Sequence, residues 1–403
     1  MVTRASWGTA VYGLSLGILA AFHQFKVPPA LPELVRAYGY PPLVSGALMS
    51  VYAVAGSLFS WPVGRWFRTL GPGPLILAAL TLLALGTGIG LSLPGTAGWM
   101  LFGRFLEGTG FAVLAVVGGV LATAGAPPGR KMLATALWAT WIPAGQVLSS
   151  LAARGLAANG SWPRLWWASL VATAVLAAWG LVLARGDGLR VDETEGLPSA
   201  SSQGGSSRRR VPLLLASGLF LLWAMQFIAF MTWLPLFLVE VHGLSSGGAA
   251  LIYGLPPVLI IAFNLLAGTL LARGVPLLSL IGAGLVAQTF VWFVAPATRN
   301  PTWGLALLAV YGVASGVIPT CIFALPGRLQ GVGSAAQSFG ALMMGRNLGV
   351  VVGPVLLGEL IGLAGRWDVA ARTLGSSCLL ALIVVGLLKP HVAANASEAR
   401  ACL

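Results

Sequence analysis

Long apolar segments, separated by short polar breaks, follow one another along the whole chain. Breaks at glycine, proline and charge clusters divide it into twelve segments: 8–31, 43–66, 73–94, 98–124, 132–156, 165–184, 212–238, 247–271, 276–295, 303–326, 335–362 and 367–388. A helix of about 20 apolar residues crosses the roughly 30 Å of hydrocarbon in a bilayer. The pattern therefore predicts an all-α membrane protein with twelve transmembrane helices.

One polar segment divides the twelve spans six and six. It reads RGDGLRVDETEGLPSASSQGGSSRRR, and its glycine, serine and charged residues leave too little apolar surface for a core. We expect an N-terminal six-helix bundle over 1–186, a cytoplasmic linker over 187–210 and a C-terminal six-helix bundle over 211–403.

The two halves of the chain repeat one another at a fixed distance. Gly312 minus Gly108 is 204, and Gly349 minus Gly145 is also 204. Gly64 and Gly268, each expected in a turn after a span, differ by 204 as well. A duplicated unit explains this spacing, so we predict two pseudo-symmetric bundles.

Composition and charge agree with a membrane location. Of the 403 residues, 57% are hydrophobic and 8% are charged, against about 25% charged in a soluble domain. The net charge of +13 does not indicate nucleic acid, because the basic residues lie mainly in short loops. One face of the twelve-span arrangement holds fourteen Lys and Arg residues and the other six. The positive-inside rule then predicts that both termini are cytoplasmic, and we expect the membrane to be the bacterial cytoplasmic membrane.

Two motifs resemble signatures of the major facilitator superfamily. GRFLEGTGF carries an RxxxGxG pattern on Arg104, Gly108 and Gly110. PVGRWFRTLG, placed after the second span, is similar to the loop signature of the superfamily at Gly64, but Arg68 stands where the family has aspartate. The resemblance covers essentially the whole chain and, in overall texture, is greatest to the cyanate permease and organic-anion transporter branches. It implies transport by alternating access.

Three cations lie inside predicted spans, where each costs about 2.5–3.5 kcal/mol to insert. Lys26 has His23 on the same helical face and is followed by a proline pair, and Arg346 lies deeper, beside Asn347. We predict that Lys26 and Arg346 face each other across a water-filled cavity and bind an anion between the bundles. The alternatives are a lysine that reaches the outer headgroups and an arginine bonded to nearby carbonyls.

The third deep cation, Arg104, stands one helical turn before Glu107, so the two can pair. A gating or proton-relay role and a structural ion pair are both open. Glu107 is the best carboxylate for proton coupling, and Gly64 and Arg68 are candidate gating residues of the loop signature.

Uncharged side chains complete the predicted substrate site. We assign Gln24, Gln226, Trp233 and Tyr311 to it, because the superfamily lines its cavity with the first, fourth, seventh and tenth helices. For each amide, a hydrogen bond to a neighbouring helix is the alternative.

The most favoured function is a secondary active transporter of a small anionic or polar metabolite, with protons as the candidate coupling ion. The alternative is a proton-driven exporter of amphipathic compounds such as drugs or siderophores. No nucleophile with a base, metal-ligand spacing or nucleotide loop is present in the spans, so we predict no enzyme, cofactor or metal. The expected partners are a small molecule, the lipid bilayer and protons, and we expect a monomer.

Overall fold

A computed structural model describes residues 6–127, 129–156, 161–186, 189, 210–294, 301–326, 329 and 335–401. Their regular secondary structure is helical throughout, as the apolar pattern predicts. The helices are α1 (Trp7–Phe25), α2 (Val27–Tyr38), α3 (Pro42–Leu70), α4 (Pro72–Ser92), α5 (Ala97–Ala124), α6 (Lys131–Trp138), α7 (Trp141–Leu156), α8 (Trp162–Arg185), α9 (Arg210–Glu240), α10 (Ser246–Tyr253), α11 (Leu255–Ala272), α12 (Leu277–Val294), α13 (Pro301–Ala324), α14 (Ala335–Ala364) and α15 (Asp368–Ala401).

Eleven helical segments of the described chain are long and apolar enough to cross a membrane. Each overlaps one of the twelve predicted spans. The predicted span that has no such segment is 132–156, which is divided into α6 and α7, of 8 and 16 residues. The count therefore differs from the prediction because the two helices of this span are each too short to cross a membrane alone.

Prolines explain this break and two others. A proline has no N–H for the carbonyl four residues earlier, and a helix tends to end just before it. Pro143 follows the break between α6 and α7, Pro28 follows the break between α1 and α2 at Lys26, and Pro256 follows the break between α10 and α11. The sequence pattern indicates these spans but not their interruptions.

The second span is longer than predicted. Helix α3 continues to Leu70 and ends at Gly71, whose φ of 73° few other residues adopt. Gly64 is therefore helical, and so is Gly268 in α11, which corrects the expectation that both lie in turns. Arg68 is exposed in the last turn of α3.

The chain divides into two compact units. The first comprises Met1–Leu197 and Met231–Gly254, and the second comprises Pro198–Phe230 and Leu255–Leu403. The segment with α10 belongs to the first unit because α10 packs on α7. There the Ser150 hydroxyl donates to the carbonyl of Ala250 over 2.6 Å. Of the predicted linker, only Leu189 and Arg210 lie within the described residues, and the bundle boundaries at 186 and 211 stay predictions.

Glycines let the helices of the first unit approach closely. A Cβ on Gly108 of α5 would lie 2.3 Å from the carbonyl oxygen of Tyr52 in α3. Real Cβ atoms do not come this close to backbone, so a side chain here would push the two helices apart. The RxxxGxG pattern thus has a packing reason at its first glycine.

Substituting Gly108 with alanine is expected to destabilise the protein by about 1–3 kcal/mol, the usual cost of an overpacked contact. Thermal unfolding of the purified protein in detergent measures this. Gly98→Ala is the matched control, because Gly98 begins the same helix and nothing lies within 4 Å of its added Cβ. Equal melting temperatures for the two variants would contradict the close-contact explanation.

Candidate functional site

Glu107 lies at the centre of a buried cluster of polar side chains in the first unit, which we call the ionic cluster. Helix α5 supplies Arg104 and Glu107, His23 lies in the last turn of α1, and Lys26 caps the end of that helix, so that each pair is one turn apart. All four side chains are at most 1% exposed. Hydroxyl groups of α4 and α8 complete the ionic cluster, whose members are His23, Lys26, Thr87, Arg104, Glu107, Ser169 and Thr173.

The Lys26 ammonium has more acceptors around it than hydrogens to donate. Its Nζ lies 2.7 Å from Glu107 Oε1, 3.0 Å from Thr87 Oγ1, 3.1 Å from Ser169 Oγ and 3.3 Å from His23 Nδ1. An ammonium group has three N–H bonds, so one of the four contacts is always left without a full hydrogen bond. The ring of Trp166 covers the α8 side, with its centroid 4.8 Å from Nζ.

The surroundings of Lys26 differ from those that the sequence indicated. Its side chain is 0% exposed and paired with Glu107, so it does not extend to the headgroups, and its predicted role in binding substrate stays a prediction. The physical reason is that α5 packs along α1 and brings an opposite charge to the ammonium. A carboxylate 81 residues away in the sequence lowers the burial cost of the lysine.

His23 joins α1 to α8. An ammonium only donates, so the contact from Lys26 makes Nδ1 of His23 an acceptor and leaves the hydrogen on Nε2. Nε2 then donates to the Thr173 hydroxyl over 3.1 Å, and that hydroxyl donates to the carbonyl of Ser169. Glu107 Oε1 lies 3.5 Å from His23 Nδ1, but in this tautomer both atoms are acceptors, so the histidine bonds Lys26 and α8 and not the carboxylate.

Arg104 binds three helices at once. Its Nη1 donates to Glu107 Oε2 within α5 and, over 2.8 Å, to the carbonyl of His23 in α1. Its Nε donates over 3.1 Å to the carbonyl of Leu48 in α3. The ring of Tyr52 lies 4.3 Å from the guanidinium carbon. The predicted pairing of Arg104 and Glu107 is therefore present, together with bonds that the sequence did not indicate.

The proline pair after Lys26 creates acceptors that neighbouring helices fill. Pro28 and Pro29 cannot donate to the carbonyls of Gln24 and Phe25, four residues earlier. Arg104 Nη2 donates to the carbonyl of Gln24, and the Ser149 hydroxyl of α7 donates to that of Phe25, each over 3.1 Å. The end of α1 is therefore held by side chains of α5 and α7.

The charges of the ionic cluster do not cancel. Lys26 and Arg104 carry two positive charges, Glu107 carries one negative charge, and His23 is neutral in the hydrogen-bonding pattern above. One positive charge is left over in a region that excludes water.

Arg346, the other predicted anion ligand, belongs to the second unit. It is partly buried in α14, and its Nη1 donates to Oδ1 of Asn347 over 3.1 Å. No carboxylate among the described residues forms a salt bridge with it. Its predicted role in binding an anion with Lys26 stays a prediction.

Comparison with known proteins identifies the family. The sequence model of the Major Facilitator Superfamily matches residues 13–354. The chain belongs to the major facilitator superfamily. It is 28% identical over 368 residues to monocarboxylate transporter 11 of Mus musculus, covering 87% of this chain and 79% of that protein. A shorter match, 34% identical over 124 residues, covers 28% of the chain and 29% of the class D tetracycline resistance protein of Salmonella ordonez.

Solved structures of the superfamily share the fold. A bacterial homolog of the human lysosomal transporter Spinster, inward-facing and occupied, superposes with a TM-score of 0.73 at 14% identity, covering 96% of each chain. The protein is thus a multi-pass membrane transporter with the superfamily fold and is not an enzyme. In the part of the chain that the structure describes, no group of His, Cys, Asp and Glu is placed to hold a metal.

The superfamily signatures fall at different distances from the ionic cluster. Arg104 of the RxxxGxG pattern is part of it. Arg68 of the other signature is exposed at the end of α3, and its neighbour Gly64 lies inside that helix. Their predicted gating role stays a prediction.

The uncharged residues assigned to the substrate site lie in both units. Gln24 is buried beside the ionic cluster, and its side-chain Oε1 has no hydrogen-bond partner. Trp233 is buried in the part of α9 that belongs to the first unit. Gln226 and Tyr311 meet in the second unit, where the phenol donates to Gln226 Oε1 over 2.9 Å.

Sequence reasoning missed the hydroxyl groups of the ionic cluster. Thr87, Ser169 and Thr173 are fully buried or nearly so, and each bonds to His23 or Lys26 at the end of α1. Their only signal is a hydroxyl inside an apolar span, which is also common where the hydroxyl bonds its own helix. Ser169 and Thr173 are one turn apart, and that spacing could have indicated a polar face on α8.

Proposed function

We propose that this transporter carries a small organic anion with a single negative charge, of the monocarboxylate class, together with a proton. The observation that carries the proposal is the uncompensated positive charge of the ionic cluster. The match to a monocarboxylate transporter, over 87% of this chain and 79% of that protein, supports the same substrate class.

Charge balance links the anion to the proton. Glu107 already forms an ion pair with Lys26, and a second carboxylate at the same buried ammonium would leave one of the two carboxylates unpaired. A substrate carboxylate therefore replaces Glu107 at Lys26 only when Glu107 takes up a proton. Proton and anion then enter and leave together, which is symport.

Arg104 holds the surrounding helices in place when Glu107 is protonated. Its bonds to the carbonyls of His23 and Leu48 do not involve Glu107, so they hold α1 and α3 against α5 when the carboxylate is neutral.

In this proposal, the residues that contribute to substrate binding are Lys26, His23, Gln24, Gln226, Trp233, Tyr311, Arg346 and Asn347. The residues that contribute to coupling are Arg104, Glu107, Gly64 and Arg68.

We also propose that the protein belongs with the cyanate permease and organic-anion branches, lies in a bacterial cytoplasmic membrane with both termini cytoplasmic, and is a monomer. The excess of Lys and Arg on one face supports the orientation.

Uptake by purified protein in proteoliposomes tests the substrate class. With an inward proton gradient, we expect accumulation of labelled propionate, lactate or pyruvate, and no accumulation of succinate, xylose or uridine. Lys26→Gln is expected to remove uptake, since the ammonium that receives the carboxylate is lost. Uptake that ignores the proton gradient, or that survives intact in Lys26→Gln, would contradict the proposal.

The same liposomes test the alternative of an exporter of amphipathic compounds. The partial match to a tetracycline resistance protein and the deeply buried carboxylate of Glu107 favour this function. Proton-driven transport of tetracycline or ethidium without transport of monocarboxylates would establish the exporter in its place.

A further inference from the structure

Two hydrogen-bond acceptors face each other at the centre of the ionic cluster, and neither has a hydrogen to give the other. They are Nδ1 of His23 and Oε1 of Glu107, which lie 3.5 Å apart. The imidazole hydrogen is on Nε2, which donates to Thr173 over 3.1 Å, and an ionised carboxylate only accepts. Two buried acceptors at this distance are costly unless a donor supplies both of them.

The Lys26 ammonium is the donor that both atoms share. Its Nζ lies 2.7 Å from Oε1 of Glu107 and 3.3 Å from Nδ1 of His23. The contact with Nδ1 is the longest of its four contacts, and three N–H bonds cannot serve four acceptors fully. Of the four acceptors, Nδ1 therefore has the weakest hydrogen bond.

The hydroxyl of Thr87 connects the two acceptors on the α4 side. It accepts from Lys26 over 3.0 Å, donates to Oε1 of Glu107 and lies 3.4 Å from Nδ1 of His23. A hydroxyl has one hydrogen to donate and lone pairs to accept another. A proton can therefore pass between Oε1 and Nδ1 either directly or through this hydroxyl.

Binding of an anion removes the shared donor. In the proposed function, the N–H bonds of Lys26 turn to the substrate carboxylate and leave Glu107. The same movement leaves Nδ1 of His23 without its donor, since one ammonium serves both atoms. Oε1 and Nδ1 then face each other with one hydrogen too few, and a single proton bound to either atom is donated to the other.

We propose that the transported proton is shared between Oε1 of Glu107 and Nδ1 of His23, in the place that the Lys26 hydrogens leave. A proton from water forms an O–H bond with the carboxylate or an N–H bond with the imidazole. That bond breaks when Lys26 returns and the proton leaves, and no other covalent bond changes. A proton needs no cavity, so the burial of both residues is compatible with this site.

This assignment gives His23 a role beside the substrate binding proposed above. It rests on the proposed function, because it concerns the proton of that symport. An imidazole and a carboxylate in contact titrate as a pair. The proton therefore belongs to the pair and not to Glu107 alone.

The groups around the pair leave it as the place where a proton is gained near neutral pH. Among the described residues, two cations, a phenol and hydroxyl groups face the pair and its ammonium: Lys26, Arg104, Tyr52, Thr87, Ser169 and Thr173. Ordinary lysine, arginine and tyrosine side chains keep their hydrogens up to about pH 9. A carboxylate and an imidazole are the groups here that can accept another.

Nitrogen NMR of the protein in detergent, with isotope-labelled histidine, tests the site without any substrate. The chain has three histidines, and the signals missing in His23→Gln are those of His23. At about pH 8 we expect a hydrogen on Nε2 and none on Nδ1. Lys26→Met removes the shared donor, so we expect a proton at Nδ1 at a pH where the wild type has none, with the Nε2 hydrogen kept.

Three NMR results would contradict the shared site. The first is a hydrogen on Nδ1 of the wild type at about pH 8, which is the other tautomer. The second is an Nδ1 signal that does not change in Lys26→Met. The third is loss of the Nε2 hydrogen in Lys26→Met, since the imidazole would then have changed tautomer without gaining a proton.

Exchange of labelled lactate in proteoliposomes, at equal pH on both sides, tests the pair in transport. Glutamine in His23→Gln keeps an acceptor and an N–H but cannot take up a proton, so Glu107 must hold it alone. We expect half-maximal exchange at a pH about one unit lower than in the wild type, the equivalent of one hydrogen bond to the proton. The KM for lactate at the acidic plateau should stay within about twofold, because the amide replaces the hydrogen bonds of the imidazole.

His242→Gln is the matched control, because His242 is exposed just beyond the end of α9. Its pH profile should equal that of the wild type. Thr173→Val is a second variant if His23→Gln does not fold. It removes the acceptor of Nε2, so the imidazole hydrogen is expected on Nδ1, which can then accept no proton, and exchange should again need a lower pH.

The outcomes separate this inference from the proposed function. Lactate exchange by the wild type, with an unchanged pH profile in both His23→Gln and Thr173→Val, would overturn the shared proton alone. Transport of no monocarboxylate by the wild type would overturn the proposed function. The NMR comparison uses no substrate and decides in either case whether His23 and Glu107 hold a proton between them.

Discussion

Replacing Glu107 with glutamine is expected to abolish proton-stimulated uptake and to destabilise the protein. The substitution leaves Lys26 and Arg104 as two buried cations without a carboxylate, and removal of one partner of a buried ion pair costs about 3–5 kcal/mol. Uptake with and without a proton gradient, together with thermal unfolding in detergent, measures both effects.

A double variant separates the loss of coupling from the loss of stability. Lys26→Met with Glu107→Gln removes one positive and one negative charge, and the neutral replacement of a buried pair is often harmless to stability. We therefore expect the double variant to regain much of the melting temperature but no uptake. Glu359→Gln is the control, since Glu359 is a partly exposed carboxylate of α14. Proton-stimulated uptake by Glu107→Gln at the wild-type rate would rule out its role in coupling.

Replacing Arg104 with lysine is expected to cost about 3 kcal/mol of stability and most of the transport rate, although the charge is kept. The guanidinium donates to carbonyls of α1 and α3 as well as to Glu107, and an ammonium cannot reach these acceptors in a planar fork. Two lost bonds to a charged group, at about 1.5–3 kcal/mol each, account for the magnitude.

Arg154→Lys is the matched control for this prediction. Arg154 is exposed near the end of α7, and exposed substitutions usually stay within about 0.5 kcal/mol of the wild type. The maximal rate should fall more than KM rises in Arg104→Lys, because the arginine positions helices instead of touching the substrate. A variant as stable and as fast as the wild type would show that charge alone matters at this position.

The sequence predicts the helical membrane fold well, because apolar segments of membrane length are long and repeated. Eleven of the predicted spans appear as single candidate segments. The sequence predicts the Arg104–Glu107 pair for a similar reason, since a spacing of three residues on a helix decides the geometry. Local periodicity is enough for both features.

The pairing of Lys26 with Glu107 is a different kind of feature. It joins residues 81 positions apart, and nothing local in α1 indicates which helix will pack against that lysine. The hydroxyl groups of Thr87 and Ser169 are equally hard to predict, because a single threonine or serine in an apolar span carries no periodic signal. Tertiary packing decides these contacts.

The junction after Lys26 has a mechanical consequence for alternating access. The carbonyls of Gln24 and Phe25 lack the usual helical donor, because the residues four positions on are prolines. Rotating α2 about this point therefore breaks no α-helical main-chain bond at either carbonyl. The two prolines thus provide a hinge in the chain itself, and the side chains of Arg104 and Ser149, from two neighbouring helices, set its stiffness.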